Sequence, residues 1–148
     1  KDFSGGTAEV ISSIENVYKW GLFRYPLKQS WYNDRVILIG DAAHPTLPFL
    51  AQGAAMAIED SFVLASKIFE FSNSSVAFKE FRRERFPRVQ RVVLASTKNA
   101  HIFHLSNIIS RRVFQVSLRF LSKFFPHLLV KRFNWIYDHN VTNKNYSS

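Results

Sequence analysis

Asp41 follows Gly40 at the end of an apolar run, Arg35-Val36-Ile37-Leu38-Ile39, and precedes Pro45, Pro48 and the stretch Gln52-Gly53-Ala54-Ala55. A carboxylate at the tip of a buried extended segment can accept hydrogen bonds from a sugar or ribityl hydroxyl. A helix opening near Gln52-Gly53-Ala54 offers unpaired backbone N–H groups and a partial positive charge. Those suit a phosphate, a carbonyl oxygen or a delocalised anion. Gly53 has no side chain to fend off a flat ring, Ala54 and Ala55 have little, and the two prolines stiffen the loop above. The same residues also suit a plainer role, in which Gly40-Asp41 ends a strand and caps a turn. Residue chemistry alone leaves both readings open.

The other chemistry-bearing residues are less organised. His44 lies three positions after Asp41. It reads as a loop histidine held by neighbouring backbone groups rather than as an acid–base partner of Asp41. His101 and His104 share a helix face, yet no nearby carboxylates complete a metal shell, so no metal is expected. Glu59 and Asp60 are consecutive, which on a helix sets them about 100° apart. A surface or inter-element contact suits them better than catalytic pairing. Ser12-Ser13 and Ser74-Ser75 have no elbow context for a nucleophile.

Particular elements must carry these residues. Positions 35–40 read as a strand buried on both faces, as in parallel sheets. Before it, Ser4 to Thr7 suggest a loop, 9–18 a short amphipathic helix, and Trp20 to Leu27 an extended segment. Trp31-Tyr32-Asn33-Asp34 reads as a turn. From about Gln52 the pattern is helical and ends at Asn73-Ser74-Ser75, where Ser74 or Ser75 is available as the next cap. A long helix over 76–104 follows, with Phe78, Phe81, Val89, Val92 and Leu94 inward and Arg82, Arg83, Arg85, Arg88 and Arg91 outward. Pro87 is expected to kink or interrupt it. A further helix spans 108–124 and stops before Pro126. After it comes a short segment holding Trp135, Ile136 and Tyr137, and then a polar, frayed tail from Asn140.

Composition bounds the classes. At 148 residues, 47% hydrophobic and 21% charged, the chain is globular material of about one domain. It is rich in aromatics, with 15 Phe, 5 Tyr and 3 Trp. Having no cysteine, these residues hold no disulfide framework, thiolate metal site or cysteine nucleophile. No run of about 18 apolar residues is free of charge, so a spanning helix is not expected. The net charge of +9 is concentrated: residues 79–132 hold 13 Lys/Arg against 2 Asp/Glu. Such a stripe reads as a solvated helix face, and it would also draw nucleic acid or an anionic surface.

The stretch Gly40-Asp41-Ala42-Ala43-His44-Pro45, then Pro48, then Ala51 through Asp60, resembles the C-terminal part of the single-component (group A) flavoprotein aromatic hydroxylases. These are monooxygenases of the para-hydroxybenzoate-hydroxylase type, and the salicylate-hydroxylase-like branch is the nearest match. Upstream, Trp20-Gly21-Leu22-Phe23, Pro26-Leu27 and Trp31 are similar to that family. So are Phe81, Arg85, Pro87-Arg88 and Val89-Gln90 downstream, and Trp135-Ile136-Tyr137-Asp138 near the end.

The resemblance implies an α/β (α+β) fragment: the C-terminal part of a Rossmann-like FAD-binding domain, a short piece of the substrate-domain sheet, and a C-terminal helical region. It implies boundaries at 1–34 for the end of the substrate domain, 35–72 for the FAD-binding part and 73–148 for the helical region. The cofactor is FAD and the co-substrate NADH or NADPH. Reduced flavin adds O2 at C4a, and the hydroperoxide hydroxylates a small aromatic compound. By this resemblance Asp41, beside Gly40, would bind the ribityl chain, and Pro48 would lie near the ring on its reacting side as the catalytic-site residue. Gly53, Ala54 and Ala55 turn backbone N–H groups toward the pyrimidine edge, where negative charge develops on reduction. Many relatives carry Asn at the place of Ala55, so a side-chain contribution is absent there. Trp20, Phe23 and Tyr25 fall on the substrate side by resemblance, while ordinary core packing is the plainer account of each.

No Gly-x-Gly-x-x-Gly occurs in the chain, and neither does the family's middle Asp-Gly motif. With Lys1 in place of Met, the chain is expected to correspond to roughly the last two-fifths of such an enzyme, on typical domain sizes. Alone it should bind FAD weakly or not at all, and turn nothing over. A cytoplasmic protein is expected, with no nucleic acid partner and with room for peripheral membrane contact or homo-oligomers. The alternative from another class is a non-catalytic basic helical module that binds an anionic membrane surface or nucleic acid. It rests on Arg111, Arg112, Arg119, Lys123, Lys131 and Arg132 interleaved with Phe114, Phe120, Phe124 and Phe125.

Overall fold

The computed structural model describes residues 6–23 and 25–143. Five α-helices organise them: α1 (Gly6–Ser12), α2 (Gly53–Glu70), α3 (Ser74–Phe103), α4 (Ile108–Phe124) and α5 (Pro126–Tyr137). Short 3-10 turns at Gly40–Ala42, Pro48–Leu50 and Val141–Asn143 complete the regular structure. The expected loop at Ser4-Gly5 and the end of the polar tail fall outside the described residues.

Helices α2 and α3 form the body. On α2 the buried positions are Met56, Asp60 and Val63, spaced four and three apart on one face. On α3 they include Phe81, Arg85, Val89, Val92 and Ser96, again at helical spacing. The two faces pack together, and the core between them takes in Trp31, Ala43, Leu50 and Ile136. The turn before α2 and helix α5 thereby share one apolar centre with the helix pair. Loop 45–50 is tied down as well: Ser96 Oγ donates to the Leu47 carbonyl at 2.6 Å, and Tyr137 OH to that of Leu50 at 3.4 Å.

Several expectations are corrected. Residues 35–40 form no strand, and the described residues contain none. The one ladder element is an isolated antiparallel bridge between Tyr32 and Ile37, supported by the Leu38 N–H donating to the Trp31 carbonyl at 2.8 Å. A strand needs a neighbour for its N–H and C=O groups. The neighbour available here is the hairpin return from Trp31 and Tyr32, tightened by the Asn33 side chain accepting from the N–H groups of Arg35 and Val36. The piece of substrate-domain sheet is likewise not formed among the described residues. The first helix occupies 6–12 instead of 9–18, because its apolar face meets nothing: Val17 is 83% exposed. A short helix without packing is marginal.

Pro87 lies inside α3 without ending it. The penalty of about 3 kcal/mol for an interior proline is offset by burial of Phe78 and Phe81 before it and Val89 and Val92 after it. The cap of α3 is Asn73 rather than Ser74 or Ser75, its Oδ1 accepting from the N–H groups of Ser75 and Val76. Asn107 caps α4 in the same way, and α4 keeps its expected bounds. The short segment after Pro126 is a full helix, since proline at its first turn needs no donor. Helix α4 buries no residue and packs against α5, with the Phe120 ring 4.7 Å from Phe124 and 6.3 Å from Phe125.

Candidate functional site

The site is built by one turn and one helix mouth. Gly40 has φ +56°, a conformation that L side chains rarely adopt, and a Cβ there would come within 3.1 Å of the Ala57 Cβ. Glycine is therefore required both by the backbone and by the close approach of α2. The turn closes with the N–H groups of Ala43 and His44 donating to the Gly40 carbonyl at 3.0 and 2.9 Å. Asp41, the next residue, is left exposed.

At the other side, Pro48–Leu50 makes a tight turn and Ala51 takes a left-handed conformation, φ 50° and ψ 34°. A non-glycine residue there stores strain of order 1 kcal/mol. It redirects the chain so that α2 starts at Gly53 with no side-chain cap. The first helical bond runs from the Met56 N–H to the Gln52 carbonyl at 2.9 Å. The N–H groups of Gly53, Ala54 and Ala55 thus belong to the unpaired first turn, and no acidic residue of that turn answers their partial charge. The mouth of α2 and Asp41 are adjacent: a Cβ at Gly53 would sit 3.8 Å from Asp41 Oδ1 and 3.9 Å from Thr46 Cγ2. An acidic tip, a bare glycine and free backbone donors therefore border one small space. Pro48, exposed, opens the 3-10 turn that leads into α2.

Beneath this space lies a buried polar cluster. Asp60, fully buried on α2, accepts from the Gly40 N–H at 2.9 Å, His44 Nε2 at 2.6 Å and Arg85 Nε at 2.7 Å. A carboxylate only accepts, so Nε2 is the protonated ring nitrogen of His44. The Trp31 ring packs on His44 with centroids 5.4 Å apart. Glu59 takes Arg85 Nη1 at 2.7 Å and both Nε and Nη2 of Arg88 at 2.7 and 2.6 Å. Arg88 reaches on to the carbonyls of Trp135 and Ile136 at 3.3 and 3.2 Å, joining α2, α3 and α5.

Burial pushes both carboxyls up, but their partners win. Hydrogen bonds from His44, the Gly40 N–H and Arg85 hold Asp60 below its ordinary value, and Arg88 with Arg85 does the same for Glu59. The sign follows by linkage. A depressed folded value means stability that is complete above the unfolded carboxyl range near 3.8–4.5 and is lost as pH falls through the folded values. For these two groups the urea midpoint is expected to stay level between about pH 7 and 5 and to drop below about pH 4. Glu59→Gln should flatten part of that drop. A midpoint still rising between pH 5 and 7 to the same extent in wild type and Glu59→Gln would assign the dependence to other groups.

The structure brings Asp41 beside Gly53, with Gly40 preceding Asp41 and Ala54 and Ala55 following Gly53 on α2, and it puts Pro48 at the start of the turn before α2. Sequence reasoning misread Arg85 and His44. Arg85 does not face outward: it is 1% exposed, and its place in the Phe81–Arg85–Val89 series was the available signal. His44 is held by a side chain 16 positions later rather than by backbone groups alone. Glu59 and Asp60 do make inter-element contacts. Trp20 and Phe23 are 84% and 75% exposed, so they are not core among the described residues, and Tyr25 is exposed too. His104 Nδ1 donates to the carbonyl of Ala100 at 2.8 Å, which occupies the nitrogen nearest its own helix.

The geometry is that of an exposed loop carboxylate next to an uncapped helix mouth of small residues. The chain belongs to the FAD binding domain family whose model matches residues 4–96. It is 38% identical over 104 residues to a 3-amino-4-hydroxybenzoate 2-monooxygenase of Streptomyces platensis, covering 70% of this chain and 26% of that protein. It is 36% identical over 124 residues to a 3-hydroxybenzoate 6-hydroxylase of Polaromonas naphthalenivorans, covering 81% and 29%. It is also 43% identical over 89 residues to a 6-hydroxynicotinate 3-monooxygenase of Bordetella bronchiseptica, covering 56% and 23%. The chain thus spans about a quarter to under a third of the length of these relatives. Among the described residues no helix is long and apolar enough to cross a membrane.

Proposed function

We propose that these residues are the ring-holding portion of an FAD-dependent, NADH- or NADPH-using monooxygenase that hydroxylates a small aromatic acid already carrying a ring hydroxyl. The observation that carries this reading is the adjacency of Asp41 to the mouth of α2. The named relatives act on hydroxybenzoates, an aminohydroxybenzoate and a hydroxynicotinate, which supports the substrate class. The portion is read as the C-terminal part of a Rossmann-like FAD-binding fold. Residues 1–34 then end the substrate domain, 35–72 belong to the FAD-binding part, and 73–148 form the helical region, in a cytoplasmic enzyme.

The residues present fit the cofactor. Asp41 would accept from ribityl hydroxyls, with Gly40 giving the turn its shape. The N–H groups of Gly53, Ala54 and Ala55 would face a ring carbonyl edge, where the positive end of α2 would favour negative charge. Pro48 would border the ring and stiffen that side of the loop. Bound FAD supplies the redox and oxygen chemistry itself, and the protein contributes position and field. The basic helical module has no comparable observation in its favour.

The test is flavin binding and coupled turnover. The full-length protein should hold FAD and oxidise NAD(P)H faster when 3-hydroxybenzoate or a close analogue is added, yielding a dihydroxylated product. Asp41→Ala should raise the FAD dissociation constant at least tenfold, and residues 1–148 alone should show no quenching of micromolar FAD fluorescence. Tight FAD binding that is indifferent to Asp41→Ala would overturn the reading.

A further inference from the structure

We propose that Asp60 and His44 are positioning residues for the cofactor, acting through Asp41 without touching it or the flavin. The inference rests on the reading of Asp41 above and adds to it the device that fixes Asp41.

The geometry is specific. Both ends of the five-residue turn 40–44 are fastened to one atom, Asp60 Oδ2: the Gly40 N–H at 2.9 Å and His44 Nε2 at 2.6 Å. Asp41 lies between those two attachment points. The second oxygen, Oδ1, is fixed by Arg85 Nε at 2.7 Å, and the Arg85 guanidinium is held in turn by Glu59 at 2.7 Å. The carboxylate therefore has little freedom to rotate, and neither does the turn it grips. Trp31, itself buried, packs against the ring of His44, so the histidine cannot swing away and release the turn. The chain of contacts runs from α3 through Asp60 to both ends of the turn and ends at a carboxylate beside Gly53. Asp60 and the helix mouth are on the same helix, seven residues apart. The element that offers the backbone donors thus also sets the distance to the opposing acid. Preorganisation of this kind raises affinity by removing the ordering that binding would otherwise require.

A double-mutant cycle in the full-length protein separates this role from a merely structural one, because groups that act through one another give non-additive effects. Asp60→Asn keeps the size of the side chain but turns a donor toward Arg85 or the turn. It is expected to raise the FAD dissociation constant at least tenfold. In the Asp41→Ala background the same change should add less than twofold. His44→Leu should behave like Asp60→Asn, and His44→Gln, which keeps a donor toward Asp60, should restore most of the affinity. These two serve if Asp60→Asn does not fold. Asn73→Ala, which removes the cap of α3 and lies outside this chain of contacts, should lower thermal stability with less than a twofold change in FAD affinity. If Asp41→Ala weakens FAD but Asp60→Asn and His44→Leu do not, or their effects simply add to it, the inference falls and the proposed function stands. If Asp41→Ala itself leaves FAD affinity unchanged, the reading of Asp41 falls first and the inference with it.

Discussion

Arg85→Met is expected to lower the unfolding free energy by about 3–5 kcal/mol, the cost of stranding one member of a buried ion pair. Among the described residues Arg85 is the guanidinium that serves both Asp60 and Glu59, at 2.7 Å to each. It also sends a longer bond of 3.4 Å to the Met56 carbonyl. Methionine fills most of the same volume, so the loss is electrostatic rather than a cavity effect. Asp60 keeps the Gly40 N–H and His44 but loses its partner on Oδ1, inside a core lined by Phe81, Val89 and Trp31. Its carboxyl, then held less far below its ordinary value, should titrate higher, so the deficit should shrink once pH falls below about 4. Arg88→Met makes the comparison useful. Arg88 is less deeply buried and leaves Glu59 with Arg85, so its loss should cost less, on the order of 1–3 kcal/mol for a charged hydrogen-bonded group. Urea unfolding at pH 7 and about pH 3.5 measures both. A deficit for Arg85→Met under 1 kcal/mol at pH 7 would mean that water reaches Asp60 once the arginine is gone.

That arginine also marks where sequence reasoning stops. The stretch from Pro45 to the start of α2 was legible because residue types there have local consequences: prolines that bar regular helix, and small residues at a helix start. The bounds of α4 were legible for the same reason, since Asn107 and Pro126 punctuate them. What failed was whatever depends on a partner far along the chain. A cation between Phe81 and Val89 looks like a surface residue until two acids from another helix meet it. The apolar run 36–39 has the composition of a central strand, yet strand geometry is a property of pairs, and among the described residues its pairing is a hairpin return to Trp31 and Tyr32. His44 was read through its sequence neighbours, whereas its chemistry is set by Asp60 on the next helix. Helix caps failed on a smaller scale. Asn73, Ser74 and Ser75 all have capping side chains, and only the direction of the incoming chain decides that Asn73 takes the role.

Gly40→Ala and Gly53→Ala should part company, which makes them a test of the turn and the helix mouth separately. At Gly40 the backbone sits at φ +56°, where a Cβ costs roughly 1–2 kcal/mol. The added methyl would also press on the Ala57 Cβ at 3.1 Å, and Ala57 lies on the rigid second turn of α2. Crowding of this kind costs about 1–3 kcal/mol, so a total loss on the order of 2–4 kcal/mol is expected. The turn cannot escape by moving outward, because its ends are bonded to Asp60. Gly53 has no such constraint. A Cβ there meets Asp41 Oδ1 and Thr46 Cγ2 at ordinary contact distances, and alanine is the better helix former by up to about 1 kcal/mol. Gly53→Ala should therefore leave stability unchanged or raise it slightly. Yet its methyl would occupy the space between Asp41 and the first N–H groups of α2, so FAD affinity of the full-length protein should fall. Thermal melts and flavin titrations on the two variants read the two effects independently. A stability loss at Gly53 as large as that at Gly40, or a Gly53 variant that binds FAD as well as wild type, would show that the space beside Asp41 is filled by packing and not kept open for a ring.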